Sequence, residues 1–233
     1  MDAVLETHGG IERWKNIKSI EATYNLSGLL FKSVGYPGSR QPTITIDPHS
    51  PKAVFTGLAD RPHERWTWTP HRVWIETLDG TVLQSLDNPR ASFSDLTPDS
   101  KWNDLHLLYF NGYATWNYLT APFTFTLPGL TTRELEAHQE NGETWRVLEV
   151  TFPNDFATHN KVQKFFFDEK FILKRLDYAP EVLGSPPASQ YIFDPCEFDG
   201  LIFPTLRRVV PKGPAGIFGP RLVLIDITKI VVT

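Results

Sequence analysis

One cysteine, Cys196, stands in the whole chain. No internal disulfide can form, which fits a reducing compartment. Excess charge is also scarce: the formal net charge is -4, and no basic tract exceeds the Arg207-Arg208 pair. Nucleic acid is thereby excluded as a main partner, because phosphate binding needs clustered Lys and Arg. No apolar run reaches the length that spans a bilayer. The opening MDAVLETHGG has neither a basic n-region nor an apolar h-region. These features predict a cytoplasmic protein without a membrane span.

Catalytic signatures are missing too. The histidines His8, His49, His63, His71, His106, His138 and His159 make no HxxxH or HxH spacing, and no second cysteine supports a zinc site. His8-Gly9-Gly10 has no G-x-S-x-G nucleophile elbow to serve. The glycine-rich run KGPAGIFGP, 212–220, has no GK[ST] and no dinucleotide spacing, and it reads as a hairpin tip. Neither a metal nor a cofactor is expected.

What the chain does have is alternation. Across 233 residues, 41% hydrophobic and 13% aromatic content is enough for a substantial core. Period-two patterning predicts strands at 17–31, 43–46, 52–58, 64–69, 72–78 and 81–86, with Asp79-Gly80 as a hairpin turn. Further strands are predicted at 143–152, 162–167, 171–178, 191–193, 201–210 and 222–232, with turns at Asn141-Gly142 and Asp199-Gly200. A short helix broken at Gly9-Gly10 precedes them. No repeat or linker interrupts the pattern, so residues 1–233 read as one domain.

The exception is 97–128, the long stretch with helical periodicity. Trp102, Leu105, Tyr109, Tyr113 and Trp116 recur at three- and four-residue steps, the spacing of one apolar face, flanked by His106, Phe110 and Asn117. Thr97 and Pro98 predict an N-cap and first helical residue, and Pro122 predicts the stop. Gly112, in mid-pattern, allows a close backbone approach or marks a break. The aromatic face either plugs a sheet or forms one wall of a ligand cavity.

Several strands are apolar on both faces, among them 162–167 and 222–232. Such a sheet needs cover on both sides, which a curved antiparallel sheet achieves by wrapping around helices or a ligand. The predicted fold is α+β, mostly β: a strongly curved antiparallel sheet, an open half-barrel, covered by a few helices. Three stretches carry a family likeness: THGGIERWKNIKSIEATYNLSG near the start, VQKFFFDEKFILKRLDY, and FDGLIFPTLRRVV with LVLIDITKI at the end. Together they resemble the bacterial lipoprotein-carrier fold, LolA/LolB-like and LppX-like. The resemblance implies a half-barrel whose concave face holds an acyl chain or similar apolar ligand. It carries no catalytic motif.

The residues expected to bind that ligand are Trp66, Trp68, Trp74, Tyr109, Phe110, Tyr113, Trp116, Phe165, Arg175 and Tyr178. One arginine of the 207–208 pair should face inward, where it needs a carboxylate; Glu149 or Asp177 could serve. Two functions remain open. One is a carrier for a hydrophobic small molecule. The other is a cofactor-independent cyclase, isomerase or hydrolase acting on a lipophilic intermediate, with His106, His159 and Asp177 as candidate catalytic groups.

Overall fold

The computed structural model describes residues 1–97 and 99–233. Two short helices, α1 (Asp2–Thr7) and α2 (Ile11–Lys15), break at His8-Gly9-Gly10 as the sequence predicts. The first half of the sheet comprises β1 (Ile20–Ser27), β2 (Thr43–Asp47), β3 (Lys52–Thr56), β4 (Glu64–Trp68), β5 (Arg72–Thr77) and β6 (Val82–Asp87). The second half comprises β7 (Thr131–Glu140), β8 (Glu143–Thr151), β9 (Val162–Phe167), β10 (Leu173–Tyr178), β11 (Ala188–Phe198), β12 (Leu201–Pro211) and β13 (Val223–Val232).

Among the described residues these strands form one open antiparallel sheet, in the order β6-β5-β4-β3-β2-β1-β13-β12-β11-β10-β9-β8-β7. The chain starts mid-sheet, meanders to one edge, crosses to the opposite edge, and meanders back. β13 then closes beside β1, with Ile20 opposite Val232. Sequence-adjacent strands pair everywhere except at the crossing from β6 to β7, which is why alternation alone exposed most of the architecture.

The crossing is made by α4 (Asp104–Thr120). It begins later than the Thr97-Pro98 cap expected from sequence. Thr97 instead forms a turn with Ser100, while Pro98 lies outside the described residues. The true cap is Asn103. Its side chain accepts from the His106 amide at 2.9 Å, and His106 Nδ1 accepts from the Asn103 amide at 3.2 Å. This is a capping box with histidine in the usual Glu/Gln place. The helix ends at Thr120, ahead of Pro122 as predicted. Only Asp104 and Asn117 along it are even half-exposed. The expected single stripe is thus corrected: α4 is buried on all sides, as the axle of the inner face.

The strand predicted over 17–31 also ends early. Gly28, at φ +130°, turns the chain, and a Cβ there would lie 2.3 Å from the Leu222 carbonyl oxygen. Leu29–Ser33 then form a helical turn, α3, rather than more strand. The inner face and α4 share the main core, and a smaller cluster of Trp145, Val147, Phe166, Tyr191 and Val210 sits on the outer face. Apolar residues on both faces of β9 are explained by these two cores.

Candidate functional site

A cavity of 760 Å³ opens on the inner side of the sheet. It lies between α3, a 3₁₀ turn at Ala91–Asp95, the loop 180–187 and the ends of β10 to β13. Its buried walls include Val34, Phe93, Phe110, Tyr178, Val209 and Val223. Exposed Ser33, Ser94 and Glu181 stand at the opening. α3 stays tied to the sheet, the Leu29 and Leu30 amides donating to the Arg221 and Leu222 carbonyls at 3.1 and 3.0 Å, and the space lies between it and the proline-rich loop 180–187. An ion pair spans this side: Arg90 Nη2 donates to Glu181 Oε2 at 2.5 Å, and Arg90 Nη1 to the Thr158 carbonyl at 3.0 Å.

Of the residues expected to bind ligand, Phe110 and Tyr178 line this cavity. The others lie elsewhere. Trp66, Trp68, Trp116, Tyr109 and Tyr113 are each at most 1% exposed: Trp68 packs under Gly112 of α4, whereas Tyr109 meets Phe93 and Tyr113 meets His159. Trp66 Nε1 donates to Glu64 at 2.8 Å, and Trp116 Nε1 to the Asp47 carbonyl at 2.8 Å. Phe165 packs on Phe125 with ring centroids 4.5 Å apart. Trp74 points to the outer face, its Nε1 donating to Glu76 at 3.3 Å and Arg72 over its ring. Trp66 and Trp68 are therefore packed in solid, and the larger open space lies beside the other half of the sheet. Leu30, Phe93, Val209 and Val223 went unmarked in the sequence, because an apolar residue facing a cavity has the same periodicity as one facing a core.

The polar candidates are likewise dispersed. His159 is 3% exposed and held at both ring nitrogens: Tyr113 OH lies 3.1 Å from Nδ1 and Tyr118 OH 2.7 Å from Nε2. A neutral imidazole satisfies both, donating to one hydroxyl and accepting from the other. Its ring stacks on Tyr178 at 4.0 Å, so Tyr178 contacts His159 and also lines the cavity. Burial pushes the His159 pKa down to about 3, with Arg90 adding to the effect. His106 is committed to the α4 cap, and burial lowers its pKa as well.

Arg175 and Asp177 sit on the outer face, since residues two apart on a strand share a face and Leu176 and Tyr178 face inward. Arg175 donates to Asp177 through Nε at 2.6 Å and Nη2 at 2.7 Å, and to Glu140 through Nη1 at 2.6 Å. Ser189 Oγ and Lys212 Nζ also reach Asp177, at 2.8 and 2.9 Å. Despite burial, these donors hold the Asp177 carboxyl below its usual value. Arg207 does face inward, as expected, but without a carboxylate. Its Nη1 donates to Gln190 Oε1 at 2.8 Å and its Nη2 to the Tyr118 carbonyl at 3.0 Å. Glu149 pairs with Arg133 instead, and Asp177 is on the far face.

No protein-family model matches the chain, and no curated protein matches it. Solved structures do. A LolA superfamily protein from Nitrosomonas europaea superposes with a TM-score of 0.57 at 10% identity, covering 98% of this chain and 91% of the other. A putative outer membrane lipoprotein-sorting protein domain from Vibrio parahaemolyticus gives 0.54 at 9% identity, covering 98% and 92%. A DUF1329 family protein from Desulfovibrio piger gives 0.55 at 11% identity, covering 98% and 90%. At such identities the likeness is one of backbone arrangement, not of site. No described helix is long and apolar enough to cross a membrane. In its architecture, this chain is a LolA-like open half-barrel.

Proposed function

We propose that this protein binds a hydrophobic small molecule or a lipid acyl chain in the cavity between α3 and the ends of β10 to β13. The observation that carries this reading is a 760 Å³ space, open to the outside, walled by buried apolar side chains and edged by serines and Glu181. Ligand pockets commonly fall between about 300 and 1,000 Å³ with such a lining. A protein of the same fold is described as an outer membrane lipoprotein-sorting domain, which is compatible with an acyl-chain ligand.

Binding is favoured over catalysis by how the polar groups are used. His106 caps a helix, both nitrogens of His159 are bonded to tyrosines, and Asp177 faces away from the cavity. A general base needs a free acceptor within reach of the substrate. A reducing compartment, the cytoplasm, suits exposed Cys196, and cell fractionation checks that placement.

Native mass spectrometry of freshly purified protein should reveal a copurifying apolar molecule. The fluorescent probe dansyl-undecanoic acid should bind, and Val209→Phe, which puts a ring into the cavity, should weaken it at least ten-fold while the protein stays folded. No copurified mass together with equal probe binding by the variant would sink this reading.

A further inference from the structure

Arg207 is 3% exposed, yet all its bonded partners are neutral. The Tyr118 ring lies beneath the guanidinium at 4.9 Å. Among the described residues, no acceptor stands in hydrogen-bond geometry to Arg207 Nε, and none to Nε2 of Gln190, which is 0% exposed and has the Tyr118 hydroxyl as a neighbour. Two buried donors on one hydrogen-bonded pair of side chains thus stand unsatisfied, and each such group is costly. A buried guanidinium without a counter-anion is costlier still. Burial lowers the Arg207 pKa to about 10, which leaves it cationic at neutral pH.

The position of this pair matters as much as its chemistry. On β11 and β12, Gln190 lies opposite Val209, and Ala188 opposite Pro211. Ala188, Val209 and Pro211 all line the cavity. Residues two apart on a strand share a face at a spacing of roughly 6.6 Å. Gln190 and Arg207 therefore continue the cavity wall one pleat step inward. Tyr178, at the boundary, places its hydroxyl 3.5 Å from that of Tyr118, the residue whose carbonyl and ring hold Arg207.

We infer that the cavity takes a long-chain monocarboxylate, bound head inward, with its carboxylate on Arg207 Nε and Gln190 Nε2 and its chain running out along the apolar walls. This rests on the reading that the cavity binds an apolar ligand, and it adds the class of that ligand. Beside Arg207, Tyr118 and His159 there is a recess of 10 Å³, room for about one water. A carboxylate needs more space, so its entry requires side chains between the cavity and Arg207 to move, Tyr178 of the cavity wall first among them. A single arginine and one amide match a small monoanion better than a phosphate head.

The test is titration calorimetry at pH 7.5 with dodecanoate, methyl dodecanoate and 1-dodecanol, each below its aggregation limit. Wild-type protein should bind dodecanoate at least ten-fold more tightly than either neutral compound. Arg207→Met and Gln190→Leu should each bring the acid-to-ester affinity ratio below three. If Arg207→Met does not fold, the wild-type comparison and Gln190→Leu decide. Equal binding of acid and ester by the wild type overturns the carboxylate anchor and leaves the apolar cavity standing. A preference that survives in both variants also overturns it. Binding of none of the three compounds removes the cavity reading, and the anchor with it.

Discussion

Gly112 of α4 lies against the indole of Trp68 on β4: a Cβ at Gly112 would come within 2.1 Å of Trp68 Cγ. Trp68 is fully buried, so its ring has no free direction in which to move. On an exposed helix, Gly→Ala would gain about 1 kcal/mol. Here the sign reverses. Gly112→Ala should lose at least ~2 kcal/mol, because an added methyl must displace a packed ring. Urea unfolding checks this; a stabilised variant would show that α4 does not press on β4.

The Arg90–Glu181 pair bridges the 3₁₀ turn at Ala91–Asp95 and the loop at the cavity opening. Its side chains are 34% and 49% exposed. Solvent screening therefore holds its stability contribution below about 1 kcal/mol. A kinetic role is expected instead. Arg90→Gln should leave the urea midpoint nearly unchanged and raise the dissociation rate of dansyl-undecanoic acid several-fold, as read by stopped-flow fluorescence. An unaltered dissociation rate would remove this pair from the opening of the cavity.

His159 sets an acid limit on stability. Its pKa falls from the ordinary 6.5 to about 3 in the folded state. The unfolded chain therefore binds the proton more readily between these values. The stabilisation is fully present above pH 6.5 and is lost as pH falls from 6.5 toward 3, at roughly 1.4 kcal/mol per pH unit. His8 and His106 are shifted in the same direction and add to this slope. His159→Phe should flatten the decline by about one proton's share. Urea unfolding at pH 7, 6, 5 and 4 measures it, and parallel declines in variant and wild type would refute the assignment.

Asp177 should matter to stability and not to ligand binding. It is buried on the outer face with four donors around it, two of them on Arg175. Asp177→Asn leaves the Arg175 guanidinium with Glu140 as its remaining carboxylate. Breaking a buried pair in this way costs roughly 3 kcal/mol or more. The affinity of the folded variant for dansyl-undecanoic acid should stay within two-fold of wild type. A ten-fold loss of affinity would return Asp177 to the binding site.

Legibility from sequence followed local chemistry. β2, β3 and β5 were readable because their buried residues alternate with more exposed ones, whereas β6, exposed except at half-buried Leu86, was readable from the turn residues Asp79-Gly80 before it. The Asn141-Gly142 and Asp199-Gly200 turns were readable because Glu140 pairs with Glu143 and Phe198 with Leu201, with both turn residues at positive φ. β7 was missed. Its TTRELEAHQE sequence lies on the sheet edge, largely exposed on both faces, so it has no alternation to read. The α4 start was misplaced because Thr97 and Asn103 are both plausible caps, and only the reciprocal bonds of Asn103 and His106 separate them.

By itself, the sequence determined that this chain forms a curved antiparallel sheet with an aromatic helix across it, since strand alternation and helical spacing are properties of neighbours along the chain. Only the tertiary structure decided which half is solid. Trp66 and Trp68 look as fit to line a cavity as Phe110 and Tyr178 do, and what parts them is the closeness of α4 to β4 at Gly112 and the space left between α3 and the loop 180–187. Those separations are set by atoms far apart in sequence, and no local pattern encodes them. The same holds for Arg207: its inward direction was legible, but the lack of a carboxylate beside it emerged only once β11, β12 and α4 were brought together.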